Sequence, residues 1–233
     1  MLFRQLFDRD SSTYTYLLAD TDSREAVLID PVRDNVPAYL QFLQELELKL
    51  IAAIDTHVHA DHITALGSLR EATGCLSWMG KEAASDCVSA RFRDGSRIPF
   101  GRHVLQAIYT PGHTDDSYSF FLEEGGQRYL FSGDTLLIRG TGRTDFQNGS
   151  AAAQYHSLFS RLLTLPADTQ VYPGHDYKGW TVSSIDEEKR FNPRLQVADE
   201  MAYVALMASL KLANPGLMDV AVPANRACGQ PQG

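Results

Sequence analysis

The chain has 233 residues, 44% of them hydrophobic and 21% charged, with a formal net charge of −8. That is the profile of one globular domain, or of one domain with an appendage, long enough to bury a sizeable core. The acidity argues against nonspecific nucleic-acid binding or an anionic membrane surface as its main role, and no apolar run reaches the ~18 residues of a bilayer span.

The opening MLFRQLFDRDSS lacks the apolar core of a secretory signal and carries acids foreign to a transit peptide. TYTYLL (13–18) alternates as a strand does, and AVLIDP (26–31) reads as a buried strand. In DNVPAYLQFLQELELK, Asn35 is the expected helix cap, Pro37 sits in the first turn, and Leu40, Leu43 and Leu46 keep helical spacing. LIAAI (50–54) reads as another buried strand, and HITALGSLREATG as a helix ending at Gly74. Further strands are expected at HVLQAIYT (103–110), SYSFFLE (117–123), RYLFSG (128–133) and TQVYP (169–173), and helices at 151–165 and 199–212. Strands that come both as neighbours and alternating with helices suit sheets covered by helices. We expect a single domain over 1–233 with a short irregular tail from Asn214, its last residues mobile. The three cysteines, Cys75, Cys87 and Cys228, are odd in number and form no CxxC pair. This argues against a disulfide framework or a zinc–thiolate site and for a reducing, cytoplasmic setting. Cys75 and Cys87 read as packing residues, and Cys228 as an exposed one.

Four places repeat one pattern, an apolar strand followed by a turn bearing metal-type side chains: LIAAI-DTHVHADH, LQAIYT-PGHTDDS, RYLF-SGDT and TQVYP-GHDY. The candidate ligands are His57, His59, Asp61, His62, His113, Asp134 and His175. Strand ends that converge at a sheet edge can assemble a site from distant segments, and imidazole with carboxylate suits zinc, iron, manganese or nickel. A single histidine at a strand end is more often structural, and that reading applies to His103 and His156. Composition leaves the metal count open between one ion and two.

HxHxDH, GHT, GDT and GHDY, in this order, resemble the metallo-β-lactamase superfamily, whose fold is α/β, an αββα four-layer sandwich with its metal site at one edge. THVHADHITALG, PGHTDDSYSF, GDTLLIRGTGRTDFQ, YPGHDYKG, the FNPRL run and VAVPANRACG look like the persulfide (sulfur) dioxygenases within it. That resemblance implies a sulfide-oxidation enzyme that oxidises glutathione persulfide with O2 to sulfite and glutathione. It implies one Fe(II) per chain on His57, His113 and Asp134, with His59, Asp61, His62 and His175 as outer-shell or vacant positions. Two imidazoles and a carboxylate are the donor set of non-haem Fe(II) oxygenases, whereas zinc has no accessible redox change.

Glutathione carries two carboxylates, so the substrate site calls for cations, preferably arginine forks. Arg143, close after Asp134, Tyr177 and Lys178 after His175, and Arg226 near the end are the candidate contacts; Arg139 flanks the same glycine-rich loop. The alternative is a glyoxalase II-like dimetal hydroxyacylglutathione thioester hydrolase, and a third reading is a metal-stabilised binding module without catalysis. The expected partners are glutathione persulfide and O2, with no nucleic acid and no membrane; a homodimer is left open.

Overall fold

The computed structural model describes residues 1–212 and 217–230. Its backbone divides into two compact units. The first comprises residues 1–93 and 97–105 and the described residues from 217 on; the second comprises 94–96 and 106–212.

The first unit is built on a six-stranded sheet in simple chain order. Its strands are β1 (Leu2–Asp8), β2 (Thr13–Ala19), β3 (Glu25–Ile29), β4 (Lys49–Ile54), β5 (Leu76–Gly80) and β6 (Ala90–Phe92). β1, β2 and β3 pair antiparallel; β3 to β6 pair parallel. Helix α1 (Val36–Glu45) and helix α2 (Leu66–Thr73) make the parallel crossovers. Leu17, Leu28, Tyr39, Leu43, Leu50, Leu66 and Leu69 form the core of this unit, each large apolar side chain contributing about 1.5–3 kcal/mol on full burial. Gly74 ends α2 in the left-handed region at φ 74°, as its position after the last periodic residue predicts. Asn35 does stand at the cap position of α1, but its side chain does not cap it. The amide donates instead to Asp8 at 2.9 Å, because the end of β1 lies within its reach.

In the second sheet the order is β12-β11-β10-β9-β8-β7. The strands are β7 (Arg97–Phe100), β8 (His103–Tyr109), β9 (Tyr118–Glu124), β10 (Gln127–Gly133), β11 (Gln170–Pro173) and β12 (Ser183–Ser184). Helices α3 (Ala151–Ser160), α4 (Ile185–Phe191) and α5 (Glu200–Ser209) belong to the second unit. Each starts on a side-chain cap, Ser150, Ser184 and Asp199 respectively, which accepts from the backbone N–H three residues on. Leu130, Leu136, Leu158, Leu162, Val171 and Tyr203 form the core of this unit.

Two expectations are corrected. The segment after Asn214 is not irregular throughout: Met218–Arg226 forms helix α6. Pro223 inside it removes one backbone donor, which disguised the helix in the sequence, yet Ala221 and Asn225 on its inner face are fully buried and hold it. The residues beyond 230 lie outside the described residues. The second correction concerns the cysteines. Cys87 and Cys228, 141 residues apart, form a disulfide, and Cys228 is buried. The fold returns α6 to the first unit and so brings together two thiols whose spacing carries no signal. Cys75 is the free, buried packing residue expected, and burial pushes its thiol pKa up. Of the two histidines expected to be structural, His103 is buried against Phe100, and exposed His156 pairs with Glu200 at 3.0 Å.

Candidate metal centre and substrate cavity

In the first unit the donor turn follows β4. Parallel pairing sets Ile54 beside Ile29, so Asp30, just past β3, comes alongside the start of the turn. Asp30 is buried and takes a left-handed φ of 51°. Its carboxylate accepts from the Thr56 backbone N–H at 2.7 Å, the Thr56 hydroxyl at 3.0 Å and His59 Nε2 at 3.1 Å. With its proton committed to Asp30, the Thr56 oxygen accepts from His57 Nδ1–H at 2.9 Å, which puts the His57 lone pair on Nε2. His62 Nδ1 donates to Asp61 at 2.8 Å. One donor atom from each of His59, Asp61 and His62 lies within 4.8 Å of the others.

His59 is fully buried, and its Nδ1 has no hydrogen-bond partner among the described residues. Burial alone would depress its pKa; the Asp30, Asp55 and Asp61 carboxylates, Asp30 foremost, together outweigh burial and push it up to about 9. An orphaned imidazole nitrogen beside carboxylates is an arrangement a bound cation would satisfy, with release of the proton. The donor set of this turn therefore fits a metal.

In the second unit, His113 follows β8, Asp134 follows β10 and His175 follows β11, so three strand ends deliver them. His113 Nδ1–H donates to the Arg143 carbonyl at 2.8 Å, again placing the lone pair on Nε2, which lies 3.5 Å from Asp134 Oδ2. His175 Nδ1–H donates to Asp134 Oδ1 at 2.7 Å. The loop that supplies the Arg143 carbonyl passes very close: Gly142 N–H donates to the Asp134 carbonyl at 2.7 Å, and a Cβ at Gly142 would collide with that carbonyl and the His113 ring. Behind the loop, buried Gln154 donates to the Gly142 carbonyl at 3.1 Å and accepts from the Tyr203 hydroxyl at 2.7 Å. Burial pushes the Tyr203 phenol up to about 12.

A cavity of about 380 Å³ opens beside these donors, within the second unit. Three of the expected contacts, Arg143, Tyr177 and Lys178, line it. Arg143 forms a bidentate pair with Asp145 at 2.7 and 2.9 Å and lies over Phe146. Tyr177 is 75% exposed and stacks on His175; Lys178 lies over Trp180 at 4.6 Å. Arg139 is committed to Glu187 and Glu188. Arg226 is exposed on α6, in the first unit.

One basic cavity residue escaped the sequence reading. Arg194, in the FNPRL run, also lines the cavity. Its guanidinium donates to the Thr141 carbonyl and hydroxyl and has no carboxylate partner among the described residues. Burial lowers its pKa. Nothing local in the sequence marks that arginine; the signal was its place in a run already quoted for the resemblance. Among the described residues no helix is long and apolar enough to cross a membrane.

Histidine- and aspartate-bearing turns at the ends of strands, in two six-stranded sheets, define a metalloprotein of metallo-β-lactamase type, and the model of the metallo-beta-lactamase superfamily matches residues 8–87 and 88–175. The chain is 46% identical over 230 residues to the mitochondrial persulfide dioxygenase ETHE1 of Homo sapiens, covering 98% of this chain and 89% of that protein. It matches the crystal structure of ETHE1 from Myxococcus xanthus with a TM-score of 0.94 and 53% identity, over 99% of this chain and 100% of the other. A probable hydroxyacylglutathione hydrolase of Schizosaccharomyces pombe is more distant, 30% identical over 80% of this chain and 83% of that protein. The chain belongs to the persulfide dioxygenase family of the metallo-β-lactamase superfamily and has the expected αββα fold.

Proposed function

We propose that the protein is a glutathione persulfide dioxygenase that oxidises the terminal persulfide sulfur with O2, giving sulfite and glutathione, at one Fe(II) held by His57, His113 and Asp134. The observation that carries the reading is the matched tautomer of the two histidines. Each donates its Nδ1–H, His57 to Thr56 and His113 to Arg143, so each offers Nε2 to a metal. With Asp134 they would offer a metal two neutral imidazoles and one carboxylate, the donor set of non-haem Fe(II) oxygenases. Bound there, Fe(II) supplies redox chemistry toward O2 and an acidic position for an anionic persulfide sulfur.

The chain's own residues do the rest. His175 holds one oxygen of Asp134, which fixes the orientation of the other. Asp30 fixes His59, and Asp61 fixes His62; these outer groups orient the turn and handle protons. Around the second unit's cavity, Arg143, Arg194 and Lys178 supply positive charge for the two carboxylates of glutathione, and Tyr177 supplies an aromatic face. The part of Arg226 in substrate binding rests on the sequence resemblance alone. The cytoplasmic expectation rested on cysteines read as unpaired, a premise the Cys87–Cys228 disulfide removes; cell fractionation tests the location, and the human relative is named as mitochondrial.

A second reading, a dimetal thioester hydrolase of glyoxalase II type, is favoured by the clustering of His59, Asp61 and His62 and by the hydrolase relative. An oxygen electrode separates the two. Uptake of O2 with glutathione persulfide, and no hydrolysis of S-lactoylglutathione, is expected. Hydrolysis without O2 uptake would replace the oxidative reading.

A further inference from the structure

The turn carrying His57, His59, Asp61 and His62 is held by a residue far away in sequence. Asn225 on α6 is fully buried. Its Nδ2 donates to the His59 carbonyl at 2.9 Å and to the His62 carbonyl at 2.8 Å, and its Oδ1 accepts from the Thr64 N–H at 2.8 Å. One side-chain amide thus uses both donors and its acceptor on three backbone groups of the metal-bearing turn. The helix that presents it is itself pinned immediately beyond. The Cys228 carbonyl accepts from Gly67 N–H at 2.9 Å, and the Cys228 sulfur is bonded to Cys87. Gly229, at φ 75°, lies so close to the Thr64 carbonyl that a Cβ would collide with it.

We infer that Asn225 is a positioning residue for the metal-bearing turn, and that its side-chain amide, rather than the disulfide that anchors its helix, fixes the turn's geometry from outside the donor set. A turn with side chains aimed at a metal has few internal backbone bonds of its own, and buried carbonyls left unpaired are costly. Tying the His59 and His62 carbonyls to one rigid amide fixes the path between them, which begins two residues after His57, and so holds in place the turn from which the His57 side chain leaves the chain. Metal sites need their donors held within about 0.5 Å. A purely structural asparagine would stabilise the fold without acting selectively on metal retention. The inference rests on the proposal that this turn supplies a ligand to the catalytic iron.

The experiment uses the iron-loaded enzyme with Asn225→Ala, and Cys87→Ser as a variant that weakens the same helix anchor but leaves the amide. Iron affinity by chelator competition, kcat and KM for glutathione persulfide, and Tm are measured on each. Asn225→Ala is expected to weaken iron retention at least tenfold and to lower kcat, with KM within twofold because the cavity contacts are untouched. Cys87→Ser is expected to lower Tm while iron affinity stays within twofold. Wild-type iron affinity in Asn225→Ala, or a loss that Cys87→Ser matches, would overturn the inference. If Asn225→Ala does not fold, Asn225→Asp decides on the same readouts, since it keeps the acceptor for Thr64 and loses both donations. A wild-type protein that holds no iron and takes up no O2 sinks the underlying proposal; wild-type iron with an unaffected variant sinks this inference alone.

Discussion

Arg194→Met gives the sharpest test of the substrate site. The guanidinium lines the cavity, donates to Thr141 and has no carboxylate hydrogen-bond partner among the described residues, and burial lowers its pKa. Its charge therefore costs solvation in the empty enzyme, and an arriving substrate carboxylate offsets that cost. A hydrogen bond to a charged group is worth about 1.5–3 kcal/mol. At 1.36 kcal/mol per decade, that is a rise of about 10- to 150-fold in KM for glutathione persulfide. Methionine keeps most of the side chain's length and apolar bulk, so kcat should fall less than threefold. Arg194→Lys, which keeps the charge and loses the planar fork, should fall between the two. The assay is initial O2 uptake against persulfide concentration, with persulfide of a thiol lacking carboxylates as a comparison substrate. A KM unchanged in Arg194→Met, or equal losses with both substrates, would refute the assignment.

Arg143→Ala should raise KM for glutathione persulfide with kcat largely kept, since the side chain is expected to supply uniform binding; an unchanged KM removes it from the site. Cys87→Ser removes a link across 141 residues, for which the chain-entropy treatment gives about 5 kcal/mol as an upper figure, so Tm should fall by up to about 10–20 °C, and an unchanged Tm under non-reducing conditions would contradict the disulfide. Burial holds the Tyr203 phenol at about 12, above its ordinary value. A raised folded-state pKa gives stability that is complete below pH ~10 and is lost as pH rises toward ~12. The urea midpoint should therefore decline across that window, less steeply in Tyr203→Phe, and equal slopes would count against it. His59→Ala should keep iron while lowering kcat, as expected of an outer-shell group; loss of iron on metal analysis would make His59 a ligand.

The parts of this molecule that were legible in the sequence share a physical cause. LIAAI, AVLI and RYLF are buried strands, so their apolar runs had to be near-continuous, and the polar turns at their ends stood out against them. The donors of those turns, from His57 to His175, could be listed because their chemistry is local. What stayed hidden depends on chain segments meeting. Cys87 and Cys228 carry no spacing signal, and α6 was masked by Pro223. Asn225 acts only through backbone groups more than 160 positions earlier. Arg194 looks like any loop arginine until the cavity beside it is seen. Asn35 shows the reverse case, a cap legible by position whose side chain was drawn to a strand the pattern LFRQLFD had not announced.

Metal analysis of protein purified without oxygen, read together with sulfite formed per O2 consumed, addresses the central claim most directly. One iron per chain and one sulfite for each O2 taken up are predicted. Two metal ions per chain, with thioester hydrolysis and no O2 consumption, would contradict it.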